Sequence, residues 1–167
     1  MLNMPILRPL PIPTKQLGSL ARIWKWFAST RQWEVWEDYE FEFDNQRLVI
    51  PKGFVFDGAS VPRLFWSFLA PTGLLLIPGL FHDYAYRYNY LLMRDGEKLA
   101  KYHEGAGKSF WDTMFRLVGQ QVNGVHFANL IAWGALACGG WVAWLSKRKA
   151  PPYESDIALR GDEEISG

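Results

Sequence analysis

The stretch Trp33-Glu34-Val35-Trp36-Glu37-Asp38-Tyr39-Glu40-Phe41-Glu42-Phe43-Asp44-Asn45-Gln46-Arg47-Leu48-Val49-Ile50 decides the fold class. Trp33, Val35, Tyr39, Phe41 and Phe43 fall on one side of an extended chain, and Glu34, Asp38, Glu40, Glu42 and Asp44 fall on the other. A period of two is the mark of a half-buried strand. Glu37 interrupts the apolar side and Trp36 the polar one. Asp44-Asn45-Gln46 supplies turn chemistry and Leu48-Val49-Ile50 a partner strand, so the stretch predicts a β-hairpin.

Helical periods flank it. Leu20, Ile23, Trp24 and Phe27 recur at helical spacing within 17–28, with Arg22 and Lys25 between them. This is an amphipathic helix for a core, a partner or a membrane surface. Residues 51–63 hold two Gly, two Pro, Asp57 and Ser60, which describes an ordered loop. Ser60 caps a short helix from near Pro62, and Pro71-Thr72-Gly73 ends it. A second helix runs from near Pro78 towards Tyr90, and a third from Ser109 to about Gln121. In the third, Phe110, Met114, Leu117 and Val118 form one stripe, and Asp112 and Arg116 another. Between these two helices Arg94-Asp95-Gly96-Glu97 signals a turn, so 91–99 forms a small hairpin or a loop. The class is α+β, with a small antiparallel hairpin sheet packed on a helical core.

With 167 residues, the chain fits a single globular domain over 17–146. Before it lies an extended arm, 1–16, broken by Pro5, Pro9, Pro11 and Pro13. After it comes a polar tail, 147–167. Apolar residues at 49% against 21% charged can build a core. A net charge of +1 argues against a nucleic-acid binder, which needs a basic excess. The single Cys138, read as a small buried residue, excludes a disulfide framework and a multi-cysteine zinc site. Aromatics at 16% suit a stiff core, an interface or a lipid-facing surface.

The stretch 125–145 contains no Asp, Glu, Lys or Arg, and Lys147-Arg148-Lys149 follows it. Its length makes it a transmembrane candidate with a basic flank, and Ala135, Gly139 and Ala143 form a small-residue face. Asn129, His126, three Gly and the shared face of Trp133, Trp141 and Trp144 suit a buried amphipathic helix instead. Both readings stand.

The chemistry-bearing group is His82-Asp83-x-x-Tyr86, with Asp112 on a later helix. Tyr86 lies one turn beyond His82 on the same face. If the two helices pack antiparallel, Asp112 reaches His82 across the interface. The carboxylate would then fix the imidazole tautomer and leave the other nitrogen to take a proton from water. Asp83, aimed aside, could hold a hard cation together with loop carbonyl oxygens, and that cation would polarise an ester. The bland alternatives are a hydrogen-bonded core histidine and, for Asp57 in its Gly-rich loop, an Asx turn. His103, beside Tyr102 and Glu104, reads as solvated.

The run Ile50-Pro51-x-Gly53-Phe54-Val55-x-Asp57-Gly58-Ala59-Ser60-Val61-Pro62-Arg63, then His82-Asp83-x-x-Tyr86-Arg87, then Trp111-Asp112-x-x-Phe115, resembles a family of uncharacterised proteins encoded by tailed phages and prophages. The resemblance covers about residues 35–145. It implies a phage context, a place in the virion or the host cell envelope, and tail or lysis proteins as partners.

His82-Asp83-x-x-Tyr86 with Asp112 downstream is also similar to the active-site helices of secreted phospholipase A2. That resemblance implies an antiparallel helix pair in which His82 is the general base and Asp83 binds calcium. It makes Asp112 the residue that orients His82, with Tyr86 hydrogen-bonded to Asp112. The family's disulfides and its Gly- and Cys-rich calcium loop are missing. The loop 53–63 would have to replace the latter, with Asp57 as the second candidate metal ligand. The leading expectation is a phage-encoded phospholipase-like hydrolase acting on lipid ester bonds at the host envelope by His-activated water. The alternative is a non-catalytic, tail-associated virion protein, or a phage protein inserted in the host membrane.

Overall fold

The computed structural model describes residues 3–10, 32–56 and 75–147. The sequence-predicted helix over 17–28, the part of the 51–63 loop from 57 onward, the short helix after it and the tail after 147 lie outside the described residues. So does Asp57. In the described part of the 51–63 loop, Val55–Phe56 is a strand, paired with 33–34, rather than loop.

Among the described residues, two antiparallel sheets and four helices make an α+β fold. The first sheet has the order β1-β2-β5, formed by Leu7–Pro9, Trp33–Val35 and Val55–Phe56. The second has the order β3-β4-β6-β7, formed by Tyr39–Phe43, Gln46–Ile50, Leu91–Asp95 and Lys98–Tyr102. The hairpin β3–β4 pairs Phe43 with Gln46 and Tyr39 with Ile50. Its two-residue turn places Asp44 and Asn45 at φ 52° and 58°, the left-handed pair that matches strand twist and that Asp and Asn tolerate. The hairpin β6–β7 turns at Gly96, φ 64°, and joins β4 through Leu48↔Met93.

The alternating run from Trp33 is not one strand. It divides at Trp36–Asp38, the place where Trp36 and Glu37 break the alternation, and its two parts join different sheets. Trp36 is exposed, with the cations of Arg8 and Lys52 about its ring at 5.1 and 5.4 Å.

Helix α1, Leu76–Tyr88, is buried on almost every side and forms the spine of the core. Phe81 packs on Tyr39 and Phe41 of β3, and Tyr84 on Phe54. The helix ends at Asn89, left-handed at φ 61°. Helix α2 is Lys108–Asn123, α3 is His126–Gly139 and α4 is Trp141–Lys147.

Three expectations need correcting. The inward face of α2 is not centred on the Phe110, Met114, Leu117, Val118 stripe. Lys108, Trp111, Asp112, Phe115 and Gly119 are buried with Met114 and Val118, while Leu117 is exposed, because Asp112 and Lys108 find their partners inside. Cys138 is exposed rather than buried. The stretch 125–145 is two helices that meet at Gly140, and among the described residues no helix is long and apolar enough to cross a membrane.

Helices α2 and α3 approach through Gly119, where a Cβ would lie 2.4 Å from Oδ1 of the fully buried Asn129. Asn129 donates to Oδ1 of Asn123 at 2.8 Å, and Asn123 also accepts from the Val125 N–H. Replacing Gly119 by Ala is therefore expected to destabilise the protein by about 1–3 kcal/mol. Gly134→Ala on α3, where nothing stands within 4 Å of the new methyl, is expected to be neutral or to stabilise by about 0.5–1 kcal/mol. Paired thermal melts read the contrast, and equal effects at the two sites would show that the Gly119 approach is not tight.

Candidate functional site

The site is built where α1 meets α2, and Asn89 sets the meeting. As an Asn it takes the left-handed conformation that ends α1 at little cost. Its side-chain Oδ1 then accepts from the Gly107 N–H at 3.1 Å and from Trp111 Nε1 at 3.0 Å. These bonds satisfy an N–H at the otherwise uncapped start of α2 and fix the rotation of its first turn. Asp112, one residue beyond Trp111, is thereby directed at α1.

Asp112 is the hub. Its Oδ1 lies 3.0 Å from His82 Nε2 and accepts from the Tyr86 hydroxyl at 2.5 Å. Its Oδ2 accepts from Lys108 Nζ at 2.6 Å. The Lys108 ammonium also donates to the Leu136 carbonyl at 2.9 Å, so it caps the last turn of α3 as well. All four side chains are buried. The His82 ring stacks obliquely on Tyr86 with centroids 3.8 Å apart, and meets Phe115 edge-on at 5.5 Å.

Burial by itself would raise the Asp112 carboxyl pKa. The hydrogen bonds from His82, Lys108 and Tyr86 outweigh it and hold the group below its ordinary value, so it is an anion at neutral pH. An ionised carboxylate only accepts. Nε2 of His82 must therefore carry the proton between them, and in the neutral ring the lone pair sits on Nδ1. Burial, the bond to Asp112 and the nearby charges of Asp112 and Asp83 push the Tyr86 hydroxyl well above the usual tyrosine range. It stays a donor.

The three residues singled out for catalysis, His82, Tyr86 and Asp112, thus come together. Asp83 is buried beside them on α1. Asp57 lies outside the described residues, and among those described no three His, Cys, Asp or Glu side chains gather as a metal site. Asp83 could contribute one oxygen to a calcium ion, whose shell takes about six to eight. The described residues do not complete that shell.

Sequence reasoning missed Lys108 and Gly140. The one-turn spacing of Lys108 and Asp112 was the available signal for the first. Nothing in the sequence pointed to the second. A Cβ at Gly140 would lie 2.7 Å from the Tyr86 hydroxyl oxygen and 2.5 Å from the Leu136 carbonyl, so only glycine leaves room for the cluster.

The lowered Asp112 pKa and the raised Tyr86 pKa fix the sign of the pH dependence. The carboxylate's contribution is complete above its ordinary value of 3.8 and is lost as pH falls through its lower folded value. The Tyr86 contribution is complete below 10.0 and is lost as pH rises towards its higher folded value. Denaturant titrations across pH should show both limbs, with the acid limb flattened in Asp112→Asn. Lys108→Met, which strips one partner from a buried anion, is expected to cost about 3–5 kcal/mol at neutral pH. A Lys108→Met protein as stable as wild type would mean that Asp112 does not depend on this bond.

No curated protein and no solved structure matches the chain. Residues 33–135 match the family described as protein of unknown function (DUF1353). That span runs from β2 into α3 and contains His82, Asp83, Tyr86, Lys108 and Asp112. The chain belongs to the DUF1353 family.

Proposed function

We propose that this protein is a phage-encoded hydrolase that cleaves lipid ester bonds at the host cell envelope with water activated by His82. One observation carries the reading: Asp112 Oδ1 sits 3.0 Å from His82 Nε2 and also accepts from Tyr86 at 2.5 Å. A single carboxylate oxygen so held sets both the tautomer and the tilt of the ring, as a general base requires. In the step this supports, Nδ1 of His82 takes a proton from water while the water oxygen bonds to the ester carbonyl carbon. The carbonyl carbon–alkoxy oxygen bond then breaks, and the imidazolium returns the proton to the departing alcohol. The Asp112 anion offsets the charge that the ring carries in between. The resemblance to phospholipase A2 adds calcium, which would polarise the ester from Asp83. The described residues fall short of its shell, and the proton transfer does not use it. The phage setting rests on the resemblance of the loop and helix motifs to phage and prophage proteins.

A second reading is favoured by burial. The His82 side chain is only 2% exposed, and its carboxylate partner is fully engaged without a substrate. A tail-associated virion component, with the quartet as its polar core, fits that closure. Catalysis instead requires the cover over the ring to open.

Fatty-acid release from mixed phospholipid vesicles, with and without calcium, separates the two. The hydrolase reading expects release by the wild-type protein and a loss of about 100-fold or more in His82→Gln. A melt confirms that the variant is folded. No release under any metal condition, or equal release by the folded variant, leaves the virion component.

A further inference from the structure

The Phe110, Met114 and Leu117 stripe of α2 finds its place at a cleft. Phe43 and Asp44 at the tip of the β3–β4 hairpin, and Tyr102 and His103 at the end of β7, face the stripe across a space of about 570 Å³. At about 100° per residue the stripe lies on the side of α2 away from Asp112, so the cleft is separate from the buried quartet. Its size and largely aromatic lining are those of a small-molecule site. The rings form a connected wall. His103 lies edge-on to Tyr102 with centroids 4.4 Å apart and tilted against Phe110 at 4.6 Å. It holds that place from a left-handed backbone, φ 48°, which residues with a side chain rarely adopt.

Asp44 gives the cleft its charge. It is the one Asp, Glu, Lys or Arg in the lining, and it is exposed. Among the described residues it has no hydrogen-bond or ion-pair partner. Burial, and after it the Asp44 charge, raise the Tyr102 hydroxyl above the ordinary tyrosine pKa, so the carboxylate is felt at the opposite wall. Ring faces are electron-rich, as a carboxylate is, and both attract a cation. The lining holds no Lys or Arg to receive a phosphate or a carboxylate.

We propose that this cleft binds a small organic ammonium ion, with the ammonium against Asp44 and its apolar or aromatic body among Phe43, Tyr102, His103 and Phe110. The proposal stands without the hydrolase reading. Phenethylamine, phenethyl alcohol and hydrocinnamate test it, since they carry a similar body with positive, no and negative charge. In NMR titrations of the whole chain at constant ionic strength, the amine should shift the amides of Asp44, His103 and Phe110. It should bind about tenfold more tightly than the alcohol, and the acid should bind least. Asp44→Asn should weaken the amine about threefold or more and leave the alcohol unchanged. Asn tolerates the left-handed φ of 52° at this turn, so the hairpin is kept. Glycerophosphoethanolamine, a lipid headgroup with its ammonium beside a phosphate, should bind less well than the amine. No shift at these amides with millimolar amine overturns the proposal. So does an alcohol or acid that binds as tightly as the amine, or an Asp44→Asn protein that binds the amine as wild type does. A headgroup that outbinds the amine assigns the cleft to lipid instead and overturns it too.

Discussion

A carboxylate with 3% of its side chain exposed is the constraint on which the helical half of this protein depends. Taking an anion out of water costs several kcal/mol after relaxation, and the cost is offset only when its lone pairs are met by well-placed donors. Asp112 finds three, from α1 and from its own first turn. Each partner has a second duty. Tyr86 packs edge-on against Trp144 of α4, Lys108 caps α3, and His82 packs against Phe115. Orienting one side chain therefore couples four helices, and an error in any one of them would leave a buried charge short of a partner.

The same satisfaction bears on what the cluster can do. His82 is held by its Nε2, so whatever chemistry it performs must use Nδ1. Lys108 keeps Asp112 anionic from the side away from the ring, which lets the carboxylate serve the imidazole without sharing its proton. An inert core would profit from the same bonds. Enclosure and catalysis are thus distinguished by access to the ring rather than by the bonding pattern.

Most of the regular structure was legible. The hairpin of β3 and β4 follows from strict alternation and from Asp44-Asn45, and α1 and α2 from their periods, each within a few residues of its observed ends. The encounter of His82, Tyr86 and Asp112 was legible as a conditional, because spacing puts residues on faces but does not say how helices dock. What stayed hidden were features that belong to no single element. Division of the 33–43 run between two sheets depends on β1 and β5, which pair with β2 from distant parts of the chain. Lys108 reads as a surface residue until its three acceptors are seen. Cys138 faces outward on a stretch whose composition alone argues for burial.

Asn89 has a wider consequence. Its carbonyl and its side chain close the base of the excursion that runs through β6 and β7, accepting from Gly105 at 2.9 Å and from Gly107 at 3.1 Å. The chain that leaves α1 is thus returned to α2 by a clasp at the root, and although Leu91 and Leu92 are buried and β6 pairs with β4, the hairpin tip over 95–98 is exposed. The Gly96 tip can be lengthened, shortened or tagged without shifting the register of the two helices, which makes it the natural point of attachment for a label or a grafted loop.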